Sequence, residues 1–411
     1  MSHNFRLIRL GDLCDTVSGL WTGKKPPYEK AIVIRNTNFT KDCKLDLSNV
    51  AVLDVETKQL QTRRLLPGDL ILEKSGGGPK QAVGRVVLFS EPTGTYSLSN
   101  FTSALRLKDS NIALHEYLQH FLYFQYVSGV TESMQSHSTG IRNLNIHQFL
   151  DIQIPLPSLE RQREIVEKLD SAFEEIEAAS ESIKIQMVQV LEAEEAYIDE
   201  KLGSKNRTFV TSALKELTSK IGSGATPRGG EESYKNEGIS LIRSLNVHDD
   251  GFRDRRLAYI DEIQALALSN VEVLEGDVLL NITGASIART CIAPKDYLPA
   301  RVNQHVAIIR PKPNLLKSEY LHYALRSRSM KEKLLGIGSA GGSTRQALTK
   351  VDIENTSLCF PRNVLEQSNL VLELNTFCEL IQKLSKNLKY LEKLYSELGI
   401  SFLAESFEFV D

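Results

Sequence analysis

The chain has 411 residues, 41% hydrophobic and 25% charged, with 49 Lys and Arg against 52 Asp and Glu. Those proportions fit a folded protein of two or three domains and exclude a uniformly basic nucleic-acid coat or a disordered acidic chain. No apolar run approaches the roughly 20 residues of a membrane-spanning helix. Met1 to Leu10 lacks the apolar core and small-residue cleavage site of a signal peptide. The five cysteines, Cys14, Cys43, Cys291, Cys359 and Cys378, include no CxxC pair and no nearby histidine at ligand spacing. A cytoplasmic protein without zinc or a disulfide framework is expected.

Along the chain the elements come twice, at an offset of about 204 to 208 residues. Leu10-Gly-Asp-Leu13 faces Leu214-Lys-Glu-Leu217, Val17-Ser-Gly19 faces Ile221-Gly-Ser223, and Ile34-Arg-Asn-Thr-Asn38 faces Ile242-Arg-Ser-Leu-Asn246. The strongest match is Leu66-Pro-Gly-Asp-Leu-Ile-Leu72 against Leu274-Glu-Gly-Asp-Val-Leu-Leu280. Each is a Gly-Asp turn running into a short apolar segment, the pattern of a buried strand. Glu116-Tyr-Leu118 then faces Glu319-Tyr-Leu321, Arg142 lies near the level of Arg345, and Pro157 faces Pro361.

A long helix is predicted after each of those prolines. Ile165, Leu169, Ala172, Ile176, Ala179, Ile183 and Val190 keep heptad spacing with one beat missed at Gln186. Leu370, Leu374, Phe377, Ile381, Leu384, Leu388, Leu391, Tyr395 and Leu398 keep it throughout. Leu202-Gly203 and Leu398-Gly399 are the expected stops. One such helix cannot bury its stripe alone, so the two are expected to pair, antiparallel if the halves are related by a pseudo-twofold axis. The fold class is therefore α/β (α+β): two pseudo-symmetric domains, residues 1–157 and 207–361, separated by helical segments 158–206 and 362–411 that form a coiled coil.

Charge divides at the same boundaries. Residues 1–157 carry 17 basic and 14 acidic groups and residues 207–361 carry 21 and 17, whereas residues 158–206 carry 6 and 13 and residues 362–411 carry 5 and 8. Mildly basic globules on an acidic rod suggest anionic ligands for the former and protein contacts for the latter.

Catalytic motifs are missing. Lys25-Pro-Pro-Tyr28 has a lysine where an amino-methyltransferase needs an acceptor for the target amine, and lysine carries only donors. Gly19-Leu-Trp-Thr-Gly-Lys24 is one residue short of a P-loop, with Lys25 where the magnesium-binding hydroxyl belongs. The eight histidines make no HExxH, and there is no GxSxG. Ser75-Gly-Gly-Gly-Pro-Lys80 and Ala340-Gly-Gly-Ser-Thr-Arg345 are glycine-rich segments that could offer backbone N–H groups to phosphate, with Lys80, Arg142 or Arg345 adding charge.

The doubled layout, the Gly-Asp turns and above all Pro155-Leu-Pro-Ser-Leu-Glu-Arg-Gln-Arg-Glu-Ile-Val166 resemble the specificity subunits of type I restriction-modification enzymes, over essentially the whole chain. The second junction, Phe360-Pro-Arg-Asn-Val-Leu-Glu-Gln367, keeps Pro361 and Gln367 but loses the first proline. The resemblance implies two target recognition domains on antiparallel helices and no catalysis in this chain. It implies an asymmetric bipartite site in double-stranded DNA and docking of two methyltransferase (modification) subunits and of restriction (ATP-dependent nuclease and translocase) subunits. S-adenosylmethionine, ATP and Mg belong to those partners, and no cofactor to this chain. The DNA-binding candidates are Lys24, Lys25, Arg35, Asn36, Asn38, Lys80, Gln81 and Arg142 in the first domain, and Arg228, Arg243, Asn246, Arg289 and Arg345 in the second. Rival readings are a coiled-coil scaffold, or a DNA-binding module of another methyltransferase or nuclease complex.

Overall fold

The computed structural model describes residues 6–21, 25–40, 42–78, 81–138, 140–202, 209–340 and 347–406. The chain forms two compact units, one of residues 1–182 with 388–411 and one of residues 183–387. Each unit thus takes a globular domain and a stretch of both long helices.

In the first unit Arg6–Arg9 pairs antiparallel with Gln153–Leu156. A four-stranded antiparallel sheet follows in the order Cys14–Ser18, Thr102–Leu107, Leu70–Glu73, Val86–Leu88. A second sheet sets Tyr28–Ile34 between Ala51–Glu56 and, in parallel, Tyr96–Leu98. The helix His115–Val127 covers the core with Tyr117, Leu118, Phe121 and Leu122. A small third sheet, in the order Gln135–Ser138, Ile141–Leu144, Ser75–Gly76, adds a β-hairpin.

The second unit repeats most of this. Phe209–Ala213 pairs with Ser357–Pro361, and Thr218–Ser223, Val306–Pro311, Val278–Asn281 and Thr290–Ile292 form its four-stranded antiparallel sheet. Ile239–Ile242 lies between Ala258–Ile260 and the parallel strand Ala300–Val302, which also pairs with Glu272–Val273. The helix Ser318–Arg326 covers this core. A further helix, Arg328–Ala340, follows it.

The Gly-Asp turn is the best-preserved repeat because its aspartate accepts three hydrogen bonds at once. Gly68 and Gly276 take φ of +92° and +83°, a conformation that costs glycine little. The buried Asp69 and Asp277 accept from the N–H of Leu66 and Leu274 and bind Arg106 and Arg310 of the neighbouring strand in two-pronged pairs at 2.7–2.8 Å. The apolar runs behind these turns, Leu70–Glu73 and Val278–Asn281, are wholly buried strands. One stretch of the repeat is out of register by a residue. A bulge between Thr218 and Lys220 shifts that strand, so that Val17 opposite Ala104 corresponds to Gly222 opposite Ile308, and not to Ile221.

The long helices are Leu159–Leu202 and Val364–Ser406. In the first unit the Phe173 ring lies 4.4 Å from that of Tyr395, whose hydroxyl donates to Glu177. In the second, Tyr197 packs on Phe377 at 5.7 Å and bonds Glu373, while Glu194 is reached by the Cys378 thiol. The advancing residue numbers on one helix meet receding ones on the other, so the pair is antiparallel. Every seam position predicted on the second helix is at least half-buried, whereas on the first Ala179 is exposed and Phe173, outside the predicted seam, is buried. Gly399 does not end its helix, which continues to Ser406; a glycine inside a helix costs only about 1 kcal/mol relative to alanine.

Both junctions between domain and helix are closed by a fully buried glutamine. Gln162 accepts from the N–H of Leu114 and donates to the carbonyls of Ile112 and Pro157. Gln367 accepts from Lys317 and donates to Leu315 and Pro361. This explains which residues the second junction retained: the amide and the proline whose carbonyl it binds carry the latch, and the lost first proline does not.

Candidate DNA interface

Each unit gathers its candidate residues around the end of one buried strand and the short turn after another. Arg35–Asn38 and Arg243–Asn246 are those turns, built alike. The Asn38 side chain accepts from Arg35 N at 3.0 Å and donates to the carbonyls of Asp46 and Asn49. Asn246 accepts from Arg243 N at 3.0 Å and donates to those of Arg253 and Arg255. Both amides are buried and fully used in holding their turns, so Asn38 and Asn246 are removed from the DNA-contacting candidates. Their recurrence in the sequence reflects backbone satisfaction, which buried polar groups require.

The arginines of these turns are also engaged. Arg35 donates to Asn49 O. Arg243 is held by Glu231 and Arg256 O and lies over the Tyr234 ring at 5.3 Å. Asn36 is half-buried, and its carbonyl accepts from Arg85. Lys25 is exposed, with its backbone N–H on Glu56. Gln81 is exposed on a small backbone loop closed against Gly78. Arg142 lies in the hairpin beside Gln135 and opposite Gly76. In the second unit Arg228 and Arg289 are exposed, and their guanidinium groups meet no partner among the described residues. Lys24, Lys80 and Arg345 lie outside the described residues.

The two units differ most at the position after the buried strand. Glu73 of the first forms a buried ion pair with Arg85 at 2.8–2.9 Å, and Arg85 spends its remaining donors on the carbonyls of Asn36, Phe39 and Thr40. In the second unit the matching residues are Asn281 and Arg289, placed by the same backbone bonds, Glu73 N to Arg85 O and Asn281 N to Arg289 O. Asn281 itself donates to the turn carbonyls of Ser244 and Val247. A neutral amide thus does the work of the ion pair, and Arg289 is left at the surface.

The glycine-rich segment of the first unit begins in a sheet. Ser75–Gly76 is a strand edge bonded to Ile141–Leu144, with Ser75 Oγ 2.6 Å from Asn143 Oδ1. In the second unit Thr283 forms the matching bridge to Ala347, and residues 341–345 of its glycine-rich segment lie outside the described residues. Among the described residues there is no group of three or more His, Cys, Asp or Glu side chains placed to hold a metal, and no helix long and apolar enough to cross a membrane.

A family model, the type I restriction modification DNA specificity domain, matches the chain twice, at residues 3–187 and 206–392. The chain belongs to that family. Its role is DNA sequence specificity in a type I restriction-modification system, and specificity subunits of such systems are not themselves catalytic. The EcoBI specificity subunit of Escherichia coli is 23% identical over 321 residues, 71% of this chain and 65% of that protein. The putative MjaX specificity subunit of Methanocaldococcus jannaschii is 20% identical over 415 residues, 95% of this chain and 91% of that one. The solved HsdS subunit from Thermoanaerobacter tengcongensis shares the fold, with a TM-score of 0.60 at 17% identity over 99% of this chain and 97% of its own. A chain from a structure of a type I R-M system, solved to explain its assembly and conformational transition, reaches 0.70 at 18% over 98% and 97%.

Proposed function

We propose that this specificity subunit recognises an asymmetric, bipartite site in double-stranded DNA, one half-site per unit, and that two methyltransferase subunits and the restriction subunits assemble on it. The observation that carries this reading is the repetition of a whole specificity domain with unlike exposed residues: Arg289 free in one unit, its counterpart Arg85 buried in the other. Phosphate contacts from Lys25, Arg228 and Arg289 position each unit, and polar side chains near Gln81 and Arg142 read base edges. The acidic helices, with Glu174, Glu177 and Glu181 among their residues, take part in docking the partners. The chain binds no cofactor; S-adenosylmethionine, ATP and Mg act in the partner subunits, in the cytoplasm. Methylome sequencing of cells expressing the chain with its methyltransferase tests this. Two unlike half-sites at a fixed spacing are expected; a continuous or palindromic methylated site contradicts it.

A further inference from the structure

The hairpin Gln135–Ser138 and Ile141–Leu144 of the first unit has two unlike faces. Residues directly opposite on paired strands share a face, so Gln135 and Leu144 point one way, and Ser136, Asn143 and Ser75 the other, with Ile141 two residues from Asn143 on the same side. The first face is turned to the body: Leu144 is buried, and Gln135 exchanges bonds with Val83 N and O and donates to Thr131 O. The second face is open. Ser136 and Ile141 are exposed, Ile141 by 43%, and the amide nitrogen of Asn143 has no partner among the described residues while its oxygen holds Ser75.

We propose that this outward face, carrying Ser75, Ser136, Ile141 and Asn143, sits in the major groove of duplex DNA and reads A·T base pairs in one half-site. The inference rests on the DNA-specificity reading above and goes further, to the surface and the bases. A two-stranded ribbon fits the major groove. Residues 135–144 contain no acidic side chain and one arginine, so nothing on the ribbon repels phosphate. The outward residues Ser75, Ser136 and Asn143 have short side chains, letting the backbone approach the base edges. Asparagine pairs with both the N6 and N7 groups of adenine, and an apolar side chain meets the thymine methyl. The Asn143 oxygen has a second lone pair for N6 beside the Ser75 bond, and its unpartnered NH2 is the donor for N7. In the second unit the position of Asn143 is Ala347, opposite Thr283, which has no amide to offer. The two units therefore read different bases.

The test uses the full chain reconstituted with its methyltransferase and selects binding sites from a random duplex pool. The wild-type complex is expected to select a bipartite motif. Asn143→Ala should lose preference at one A·T pair of one half-site by about tenfold or more, with the other half-site unchanged. Asn143→Asp keeps the acceptor for Ser75 and should move the preference at that pair from adenine toward cytosine. Ile141→Ala, at an exposed site with no core to disturb, should abolish the difference between thymine and uracil that wild-type protein shows in that half-site. A wild-type motif that all three variants preserve, with no effect of uracil, overturns the ribbon and leaves the specificity role intact. A wild-type complex that selects no motif overturns both.

Discussion

The two units meet the same need with different chemistry. Behind each turn, Asn36–Asn38 in one and Ser244–Asn246 in the other, a set of inward-facing carbonyls needs donors. The first unit supplies them from Arg85, whose charge Glu73 balances. The second supplies them from Asn281. A buried ion pair carries a desolvation cost that an amide avoids, and breaking one by removing a partner is expensive. What the difference teaches is that a repeated fold constrains the hydrogen bonds to be made and leaves free which residue makes them, and so which arginine reaches the surface.

The largest expected effect follows from that pair. Glu73→Ala strands a buried guanidinium and should cost about 3–5 kcal/mol, read by denaturant titration with amide exchange resolving the two units. Asn281→Ala removes neutral bonds only and should cost about 1–2 kcal/mol. Equal losses would erase the distinction. Next are the latches. Gln162→Ala and Gln367→Ala each leave an N–H and two carbonyls unsatisfied, and each should cost about 2–3 kcal/mol, with protection lost at the start of the corresponding helix. Here the units should behave alike.

A third contrast is in pH. Burial, and secondarily the Arg326 guanidinium, hold the His322 pKa down at about 3, against 6.5 ordinarily. The unfolded chain takes up a proton below pH 6.5 that the folded one refuses until about pH 3. Stability is therefore full above pH 6.5 and lost as pH falls toward 3, with a limiting slope of about 1.4 kcal/mol per pH unit. The first unit has Gln119 at the matching place and lacks this contribution. His322→Phe should flatten the acid limb of the second unit's stability curve; an unchanged limb would place the acid sensitivity elsewhere. The smallest effect on stability is at Arg289. Arg289→Ala should leave the melting temperature within a degree or two, while lowering the salt dependence of DNA binding by about one ion.

Much of the fold was legible because its signals are local or repeated. The Gly-Asp turns, the strands behind them and the heptads of the second helix all follow from short patterns that a buried strand or an apolar seam requires. The seam on the first helix is less legible, because its aromatic contact, Phe173 on Tyr395, breaks the heptad beat. The candidate site was legible only in part. Asn38 and Asn246 recur in both halves, yet recurrence marks the turn they hold. No neighbouring residue separates Arg85 from Arg289, because burial is decided by Glu73 or Asn281, twelve and eight residues earlier in the chain. The open face of the hairpin was missed although Thr139-Gly140 between two short runs is a turn signal; the pairing with Ser75–Gly76 that fixes which face is outward is a tertiary fact.

The central claim is that each unit reads its own half-site, and the most direct measurement is the methylated site of a chimaera. Residues 207–361 are exchanged for the matching domain of a related specificity subunit, and the methylome of cells expressing the hybrid with its methyltransferase is sequenced. One half-site should change to that of the donor, while the other half-site remains as it was. A hybrid in which both half-sites change, or neither does, contradicts the account.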